Sequence, residues 1–380
     1  MSERVPERER PRAADACAPV PHVGAFRSGQ SGTIADVPGV SVGHCTLDEG
    51  SIQTGVTVVR PHGGNLYRDK VPAAATVING FGKSIGLVQV GELGVLETPI
   101  ALTNTFGVGA IAQAQIRAAI AENPLIGREW PTVNPLVFEC NDGYLNDIQA
   151  LAVNEEHYDA AFADAASAAA SETFARGAVG AGRGMSCFDL KGGIGSASRV
   201  ASAAGTSYTV GALVLANFGR LPMLTIGGVP VGRALAERAA LEPRAKADGA
   251  KPEQPEQGSI IMLIATDAPL DARQLKRLSM RAAAGLARTG SAYGHGSGDI
   301  SLAFSTAYTV PHEADFVAVP PCVADARLDP LFHAAADSVE QAIIDALLQA
   351  TTVTGRDGHR RMSLADAAPD LTRFLAQPTR

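Results

Sequence analysis

A glycine–serine pair at positions 258 and 259 separates two segments of opposite character. The polar segment KPEQPEQ precedes it, and the apolar run IIMLIAT follows it. Gly258 has no side chain to hinder attack on its carbonyl carbon, and the hydroxyl of Ser259 adjoins that carbon. Cleavage through the resulting ester would leave Ser259 with a free α-amine, which titrates at about pH 8 and can act as general base for its own hydroxyl. The pair predicts a serine nucleophile that becomes N-terminal when the chain cleaves itself; the simpler interpretation of the pair is a turn.

A second group of polar side chains lies in GHGSGDI, residues 294–300. Ser297 and Asp299 are separated by one residue, so in an extended segment both side chains project to the same side. A hydroxyl and a carboxylate placed together can relay and orient a proton, although a glycine-rich turn before a strand would also explain the segment. His295 is close enough to suggest a Ser-His-Asp triad, but an N-terminal serine needs no imidazole, so we expect a loop histidine.

Composition limits the classes of function. The chain has 380 residues, of which 46% are hydrophobic and 19% charged, enough for a large core. Its net charge of −7 and the absence of long Lys or Arg runs argue against nucleic acid as a partner. No stretch has the roughly 20 apolar residues of a membrane span. The five scattered cysteines, without a C-x-x-C pair, argue against a disulfide framework and structural zinc, and favour a cytoplasmic protein.

The elements that must position these residues form a layered α/β or α+β pattern, with glycine at the joints. Apolar and β-branched runs predict strands at 54–61, 73–80, 98–106, 134–140, 206–218, 258–267 and 299–306. Helical periodicity predicts helices at 110–123, 271–290 and 336–350. In the first helix, Ala112, Ile116, Ala119 and Ile120 share a face. In the second, the predicted face contains Leu275, Leu278, Ala282 and Leu286, with Gly290 as the stop.

Two segments are expected outside the core. Residues 1–30 combine alternating charge with proline and contain no apolar signal-peptide region, so we expect a flexible leader. Residues 241–258 have the composition of an exposed loop or linker. The part after Ser259 contains too few strands for an independent α/β domain. We therefore expect one domain, 31–380, cleaved into a larger chain, 1–258, and a smaller chain, 259–380.

A set of motifs, found together and in a fixed order, carries a resemblance to a known family. The motifs are IADVPGVSVGHCT, VINGFGKSIGL, ECNDGYLNDI, GAVGAGRGMSCFDLKGGIGSASR, LVLANFG, GSIIMLIATDAPL and GHGSGDISLAFST. The set resembles the P1 family of self-processing aminopeptidases, the L-aminopeptidase/D-esterase (DmpA) type and its β-peptidyl aminopeptidase relatives, over about residues 30–350. The resemblance implies an α+β fold, a four-layer αββα sandwich. It also implies self-cleavage before a serine, usually a tetramer of two-chain protomers, and neither metal nor organic cofactor.

The resemblance also implies roles for individual residues. Ser259 is the nucleophile, and Ser297 and Asp299 lie beside it, where some family members have Glu in place of this Asp. Asn217 donates its amide N–H to the oxyanion, although Asn before Phe-Gly can also simply end a strand. Tyr144 matches a tyrosine that lines the family's site.

The substrate's amine needs a carboxylate partner in any aminopeptidase. Glu139 and Asp142, both in ECNDGY, are the two candidates. The function expected is release of small N-terminal residues from peptides, amides or esters through an acyl-enzyme, with α-, D- and β-residues left open. One alternative is an acyltransferase of the ornithine acetyltransferase type, which uses a threonine nucleophile. The other is a non-catalytic binding assembly, against which the joint presence of the polar residues above argues.

Two glycine-rich patterns resemble nucleotide-binding motifs. Gly107, Gly109 and Ala112 match G-x-G-x-x-A, but the acidic residue expected about 20 residues later is absent, so we do not predict NAD binding. GAVGAGRG and KGGIGSASR lack the Gly-Lys-Ser/Thr ending of a P-loop. We expect both to form tight backbone around the site.

Overall fold

A computed structural model describes residues 21–168, 173–241 and 257–375. Its strands are β1 (Ser41–Leu47), β2 (Thr54–Arg60), β3 (Asp69–Gly80), β4 (Val95–Leu96), β5 (Ile100–Asn104), β6 (Leu136–Cys140), β7 (Ser186–Cys187), β8 (Leu190–Lys191), β9 (Gly193–Ala203), β10 (Thr206–Asn217), β11 (Gln257–Thr266), β12 (Gly296–Ser305), β13 (Val310–Pro311), β14 (Val353–Thr354) and β15 (Arg360–Arg361). Its α-helices are α1 (Leu87–Leu93), α2 (Val108–Glu122), α3 (Glu155–Ala168), α4 (Val231–Leu241), α5 (Ala272–Ser279), α6 (Ala282–Arg288), α7 (Asp329–Gln349), α8 (Leu364–Ala367) and α9 (Leu371–Leu375).

The longer strands form two sheets. The first has the order β1-β2-β5-β6, and the second has the order β13-β3-β12-β11-β10-β9, with β4 paired to β3. Within these sheets β5 pairs parallel with β6 and β11 parallel with β12, and the other pairs are antiparallel. Strand β11 lies near the centre of the second sheet, between β12 and β10, so the glycine–serine pair opens a strand that is paired on both sides.

The domain has four layers, as the directions in which the strand side chains are buried show. In β11, Ile261 and Leu263 belong to the core between the sheets, whereas Ile260 and Met262 pack under the helices α5, α6 and α7. Helices α2 and α3 cover the outer face of the first sheet. A strand buried on both faces is apolar at every position, which explains the unbroken run after Ser259. The predicted αββα sandwich is confirmed.

All of the predicted strands are present, but the two long strands β1 and β9, the short strands and the helices α1, α3, α4, α8 and α9 were not predicted from the sequence. Both of the missed long strands contain glycines that let a helix approach their backbone. A Cβ on Gly43 would lie 2.0 Å from Ala165 N in α3, and a Cβ on Gly195 would lie 1.9 Å from Ala342 O in α7. Glycine weakens the strand signal in the sequence, and here it is required by packing.

The expected face of α2 was only partly right, since one of its four residues is buried, two are half-buried and one is exposed. Its buried positions include Val108, Ile111 and Gln115, whereas Ile120 is 42% exposed. The Gln115 amide donates to Pro99 O at 2.8 Å and accepts from Leu136 N at 2.9 Å, joining the starts of β5 and β6. A polar residue that bonds to strand backbone therefore occupies a core position that an apolar pattern does not reveal.

The segment 271–290, expected as one helix, is two. Helix α5 ends at Ser279, whose hydroxyl donates to Lys276 O at 2.9 Å, and α6 begins at Ala282. A hydroxyl that competes for a backbone carbonyl favours a helix end. The predicted buried face was right, because its four leucine and alanine residues are all fully buried.

Part of the expected leader belongs to the folded domain. Val23 is buried, and its carbonyl accepts from Arg199 Nε at 3.0 Å and Nη2 at 2.8 Å. Gly29 N donates to Ser198 Oγ at 3.0 Å. Residues 1–20, and 242–256 of the expected linker, lie outside the described residues. Within the described part of the chain, no helix is both long and apolar enough to span a membrane.

Candidate active site

Three residues lie side by side across the central strands of the second sheet. Asn217 at the end of β10 pairs with Ser259 near the start of β11, and Ser259 pairs with Gly298 in β12. Directly paired residues project from the same face of a sheet, here the face toward the first sheet. A Cβ on Gly298 would lie 3.0 Å from Ser259 Oγ, so this glycine leaves space for the hydroxyl.

The junction between Gly258 and Ser259 holds the hydroxyl next to the carbonyl that it would attack. Ser259 Oγ donates to Gly258 O at 2.7 Å. Gly258 has φ +156°, and a Cβ there would lie 2.3 Å from Asn217 O. Only glycine fits between the two strands at this point, which explains the residue before the serine.

The side-chain amide of Asn217 is fixed by two backbone groups. Its Oδ1 accepts from Ser186 N at 2.8 Å, and its Nδ2 donates to Asn141 O at 2.9 Å. These partners determine which end of the amide carries the nitrogen. Among the described residues this accounts for one of the two Nδ2 hydrogens, so the other can donate to an oxyanion on the carbon attacked by Ser259.

Ser297 and Asp299 are joined as the sequence spacing predicts. Ser297 Oγ donates to Asp299 Oδ1 at 2.7 Å, and both side chains are fully buried. Ser297 pairs with Gly258 and Asp299 pairs with Ile260, the residues just before and just after Ser259 in β11. Because side chains alternate along β12, they project from the face opposite Gly298, toward the helices. The Ser259 nitrogen lies in the plane of the sheet, between the two faces.

A cavity of about 550 Å³ opens over Ser259. Its lining includes Glu139 and Tyr144, together with Asn217. Glu139 is 3% exposed; one carboxylate oxygen accepts from Lys83 N at 2.7 Å and the other from Thr105 Oγ1. The carboxylate is therefore held rigidly at the cavity wall.

The second candidate carboxylate, Asp142, has a different environment. It is fully buried, does not line the cavity, and accepts from Asn146 Nδ2 at 3.0 Å. Burial raises the pKa of the Asp142 carboxyl to about 6. The geometry thus favours Glu139 for the substrate's amine. His295 lies in the loop before β12 with its ring centroid 6.1 Å from that of Phe81, at the exposed rim, as expected for a loop histidine.

Tyr144 lines the cavity, and two residues of the segment 357–363 pack against its ring. The His359 ring stacks on it with centroids 4.7 Å apart, and Arg361 Cζ lies 3.7 Å from its centroid. Neither residue was predicted from the sequence. Both lie in DGHRRMS, beyond the end of the motif set, where the basic pair is a weak signal because such pairs are usually solvated.

Comparison with known proteins identifies the family. Residues 32–361 match the model of peptidase family S58. The chain belongs to peptidase family S58. It is 40% identical over 374 residues to the β-peptidyl aminopeptidase BapA of Sphingosinicella microcystinivorans, covering 94% of this chain and 91% of that protein.

Two solved structures resemble the S58 chain closely. The PH0078 protein of Pyrococcus horikoshii OT3 gives a TM-score of 0.85 at 47% identity, covering 94% of this chain and 98% of that one. The L-aminopeptidase D-Ala-esterase/amidase of Ochrobactrum anthropi, described as a prototype serine aminopeptidase with a variant Ntn hydrolase fold, gives 0.81 at 33%, covering 93% and 98%. The predicted family, fold and hydrolase class are confirmed, and these matches do not favour the acyltransferase alternative.

A buried lysine of this S58 peptidase supports the side-chain amide of Asn217 indirectly. Lys191 is fully buried, and its Nζ donates to the carbonyls of Gly182 (2.9 Å), Met185 (2.9 Å) and Gly192 (2.7 Å). Met185 precedes Ser186, whose N–H holds Asn217. Lys191 thus fixes the loop that orients the amide.

The glycine-rich segments around Lys191 form tight backbone, as expected, but much of the close packing is not at the cavity. A Cβ on Gly177 would lie 2.2 Å from Gln349 O at the end of α7, and Gly195 approaches the same helix. Gly192 is nearer the site, because a Cβ there would lie 2.3 Å from Ala216 O, one residue before Asn217. The expectation of tight backbone around the site was therefore wrong for most of these glycines.

Proposed function

We propose that this S58 peptidase cuts itself between Gly258 and Ser259, and then releases small N-terminal residues from peptides, amides or esters through an acyl-enzyme on Ser259. The observation that carries the proposal is the position of Ser259 Oγ, 2.7 Å from the Gly258 carbonyl oxygen at the floor of the cavity. Asn217 and Glu139 line the same cavity. One hydroxyl is thus placed for both self-cleavage and turnover.

Self-cleavage follows from this geometry in two steps. Ser259 Oγ attacks the Gly258 carbonyl carbon, the peptide C–N bond breaks, and the hydroxyl proton passes to the Ser259 nitrogen, which becomes a free amine. Water then hydrolyses the ester, leaving a carboxylate on Gly258 and restoring the hydroxyl. Release of the Gly258 end leaves Ser259 facing the cavity as an N-terminal nucleophile.

Turnover uses the same atoms with the amine as base. The Ser259 amine accepts the hydroxyl proton as Oγ attacks the substrate carbonyl, and Asn217 Nδ2 donates to the resulting oxyanion. The amine returns the proton to the leaving group, and water attacks the acyl-enzyme in the second half. The charge of Asp299 favours the protonated amine, Ser297 orients that carboxylate by donating a hydrogen bond to it, and Glu139 binds the substrate's ammonium group.

The substrate class is proposed from the relatives' names. One is called a β-peptidyl aminopeptidase and another an L-aminopeptidase D-Ala-esterase/amidase. Both describe removal of an N-terminal residue, so we infer the same reaction here. The p-nitroanilides of Gly, L-Ala, D-Ala and β-homo-Gly would show which first residue the cavity accepts.

The test of self-cleavage is the mass of the mature chains. Wild-type protein should give two bands of roughly 26.5 and 12.5 kDa on a denaturing gel, by proportion of chain length. Ser259→Ala should remain a single chain without turnover, because it lacks the attacking oxygen. Circular dichroism of that variant controls for folding. An intact wild-type chain with full activity would refute the proposal.

We also propose a cytoplasmic homo-oligomer, a tetramer of two-chain protomers. The family resemblance supports the assembly, and so do exposed apolar side chains such as Phe316, 93% exposed, and Val319, 53% exposed, in one loop. The scattered cysteines support a reducing compartment. Light scattering that gives the mass of one 39.1 kDa protomer would refute the assembly.

A further inference from the structure

The cavity has an acidic side and a basic side, separated by Ser259. On the acidic side, Glu139 accepts from Lys83 N, next to Gly82. A Cβ on Gly82 would lie 3.6 Å from Glu139 Oε1 and 3.9 Å from Gly298 Cα. Since Gly298 pairs with Ser259 from β12, Glu139 lies on the β12 side of the nucleophile.

The basic side begins at the opposite neighbour of β11. Asn217 pairs with Ser259 from β10 and accepts from Ser186 N at 2.8 Å. Ser186 Oγ in turn accepts from Arg361 Nε at 3.2 Å. Arg361 is therefore two hydrogen bonds away from the oxyanion amide, and its guanidinium lines the cavity on the β10 side.

Arg361 is held in place yet keeps donors available. Its guanidinium carbon lies over the Tyr144 ring, 3.7 Å from the centroid, and Nε donates to Ser186 Oγ. The contacts found for Arg361 within the described residues do not use Nη1 or Nη2 as donors. A guanidinium held by a ring and a hydrogen bond, with two nitrogens available as donors, is suited to bidentate binding of a carboxylate.

The other cations of the cavity are less suited to this role. Arg220 Nη1 lies 3.7 Å from Asp189 Oδ1, so a carboxylate already faces that charge. Lys83 Nζ lies 4.4 Å from the centroid of the Phe81 ring, on the acidic side of the cavity. Arg361 is thus the cation on the basic side that lacks a carboxylate partner among the described residues.

We propose that Arg361 binds the free α-carboxylate of the leaving residue, so that the preferred substrates are dipeptides with an unmodified C-terminus. The inference rests on the proposed function, because it assumes that Glu139 holds the substrate's ammonium group and that Ser259 attacks the carbonyl between Glu139 and Arg361. One residue spans about 3.5 Å of chain, so the carboxylate of a dipeptide lies just beyond the scissile bond, whereas a longer peptide presents a neutral amide there. A zwitterionic dipeptide matches both sides of the cavity.

The experiment compares a dipeptide with its own C-terminal amide on protein confirmed to be cleaved. The first residue is the one whose p-nitroanilide is hydrolysed fastest, and the second is L-Ala, as free acid or as alaninamide. We expect wild-type kcat/KM to be about 10- to 100-fold higher for the acid, as a charge-assisted hydrogen-bonded pair provides. Arg361→Met should reduce this ratio to about one, and Arg361→Lys should restore part of it.

The ratio separates recognition from structural damage. Arg361→Met also removes a contact with Tyr144, which would lower both rates together but leave their ratio unchanged. Arg220→Met is the matched control. It removes a guanidinium that lines the same cavity but already faces Asp189, so the variant should keep the wild-type ratio of kcat/KM for acid and amide. Equal rates on acid and amide in wild type, or an unchanged ratio in Arg361→Met, would overturn the inference while leaving the proposed function intact. Failure on all p-nitroanilides and dipeptides would instead refute the proposed function.

Discussion

The immediate surroundings of Ser259 are made of residues whose size matters as much as their chemistry. Gly258 and Gly298 leave room that any Cβ would fill, and Asn217 occupies the third side with an amide fixed by backbone groups. In the proposed function the Ser259 hydroxyl attacks first its own chain and later a substrate, and it needs space on both occasions. The reactivity proposed for Ser259 therefore depends on neighbours that have no reactive group.

The roles of Asp299 and Ser297 can be distinguished by pH. In the proposed mechanism the Asp299 carboxylate favours the protonated Ser259 amine, and the neutral amine is the active base. Asp299→Asn should therefore lower the amine's pKa and move the acidic limb of the kcat/KM profile to lower pH. Ser297→Ala should lower the rate without moving that limb, because a hydroxyl carries no charge. The profiles are measured with the favoured p-nitroanilide.

Asn217→Ala provides the matched control for that comparison. It removes an oxyanion donor and no charge, so kcat should fall by about 10²- to 10³-fold with the acidic limb unmoved. Only processed protein is informative, since an uncleaved precursor would be inactive for another reason. If both Asp299→Asn and Ser297→Ala turned over substrate at the wild-type rate, the proposed proton relay would be wrong, and GHGSGDI would be only a glycine-rich turn.

At the scale of elements, the register of β10, β11 and β12 decides which side chains meet. Asn217, Ser259 and Gly298 are far apart in the sequence and adjacent in the sheet. A slip of one residue between two of these strands would send the serine or the asparagine to the opposite face. The loop fixed by Lys191 and the short strand β15, which carries Arg361, then complete the site from outside the sheet.

Gly258→Ala tests that register at the junction. Its Cβ would lie 2.3 Å from Asn217 O, so the start of β11 must move away from β10 and the Ser259 hydroxyl moves with it. We expect self-cleavage to slow by at least about tenfold, as a small misplacement of reacting groups does. Band intensities on denaturing gels over time give the rate.

Gly109→Ala is the control for a general effect of replacing glycine. Gly109 lies in α2 with no atom near an added Cβ, so cleavage should be unchanged and the helix slightly more stable. Cleavage of Gly258→Ala at the wild-type rate would show that β10 and β11 separate without cost, contrary to the packing described here.

At the scale of the whole molecule, burial of polar groups sets how stability depends on pH. Asp142 is fully buried and its pKa is raised to about 6, whereas an unfolded aspartate titrates at about 3.9. Between these values the folded chain holds a proton that the unfolded chain has lost. The contribution of Asp142 to the free energy of unfolding is therefore largest below about pH 4 and is lost as pH rises to about 6.

Asp142→Asn should remove this dependence. Relative to wild type, the variant should gain about 2 to 3 kcal/mol between pH 4 and pH 7, because its amide never pays the cost of ionising in the core. Urea unfolding in the Ser259→Ala background, where the chain stays intact, measures the difference at each pH. A constant difference between the two proteins from pH 4 to pH 7 would contradict the raised pKa.

The sequence by itself determined the features that depend on neighbouring residues. The glycine–serine pair, the double-sided apolar strand after it, the Ser297–Asp299 pair on one side of β12 and the αββα class all follow from local pattern or from motifs kept in order. Only the tertiary structure distinguishes Glu139 from Asp142, because they are three residues apart and the chain leaves β6 between them, so that one lines the cavity and the other lies in the core. It alone brought Ser186 and Arg361 to the cavity that Ser259 lines, since those contacts join residues separated by long stretches of sequence and leave no periodic signal. Local rules fix what each segment is, and only packing between segments fixes what its side chains meet.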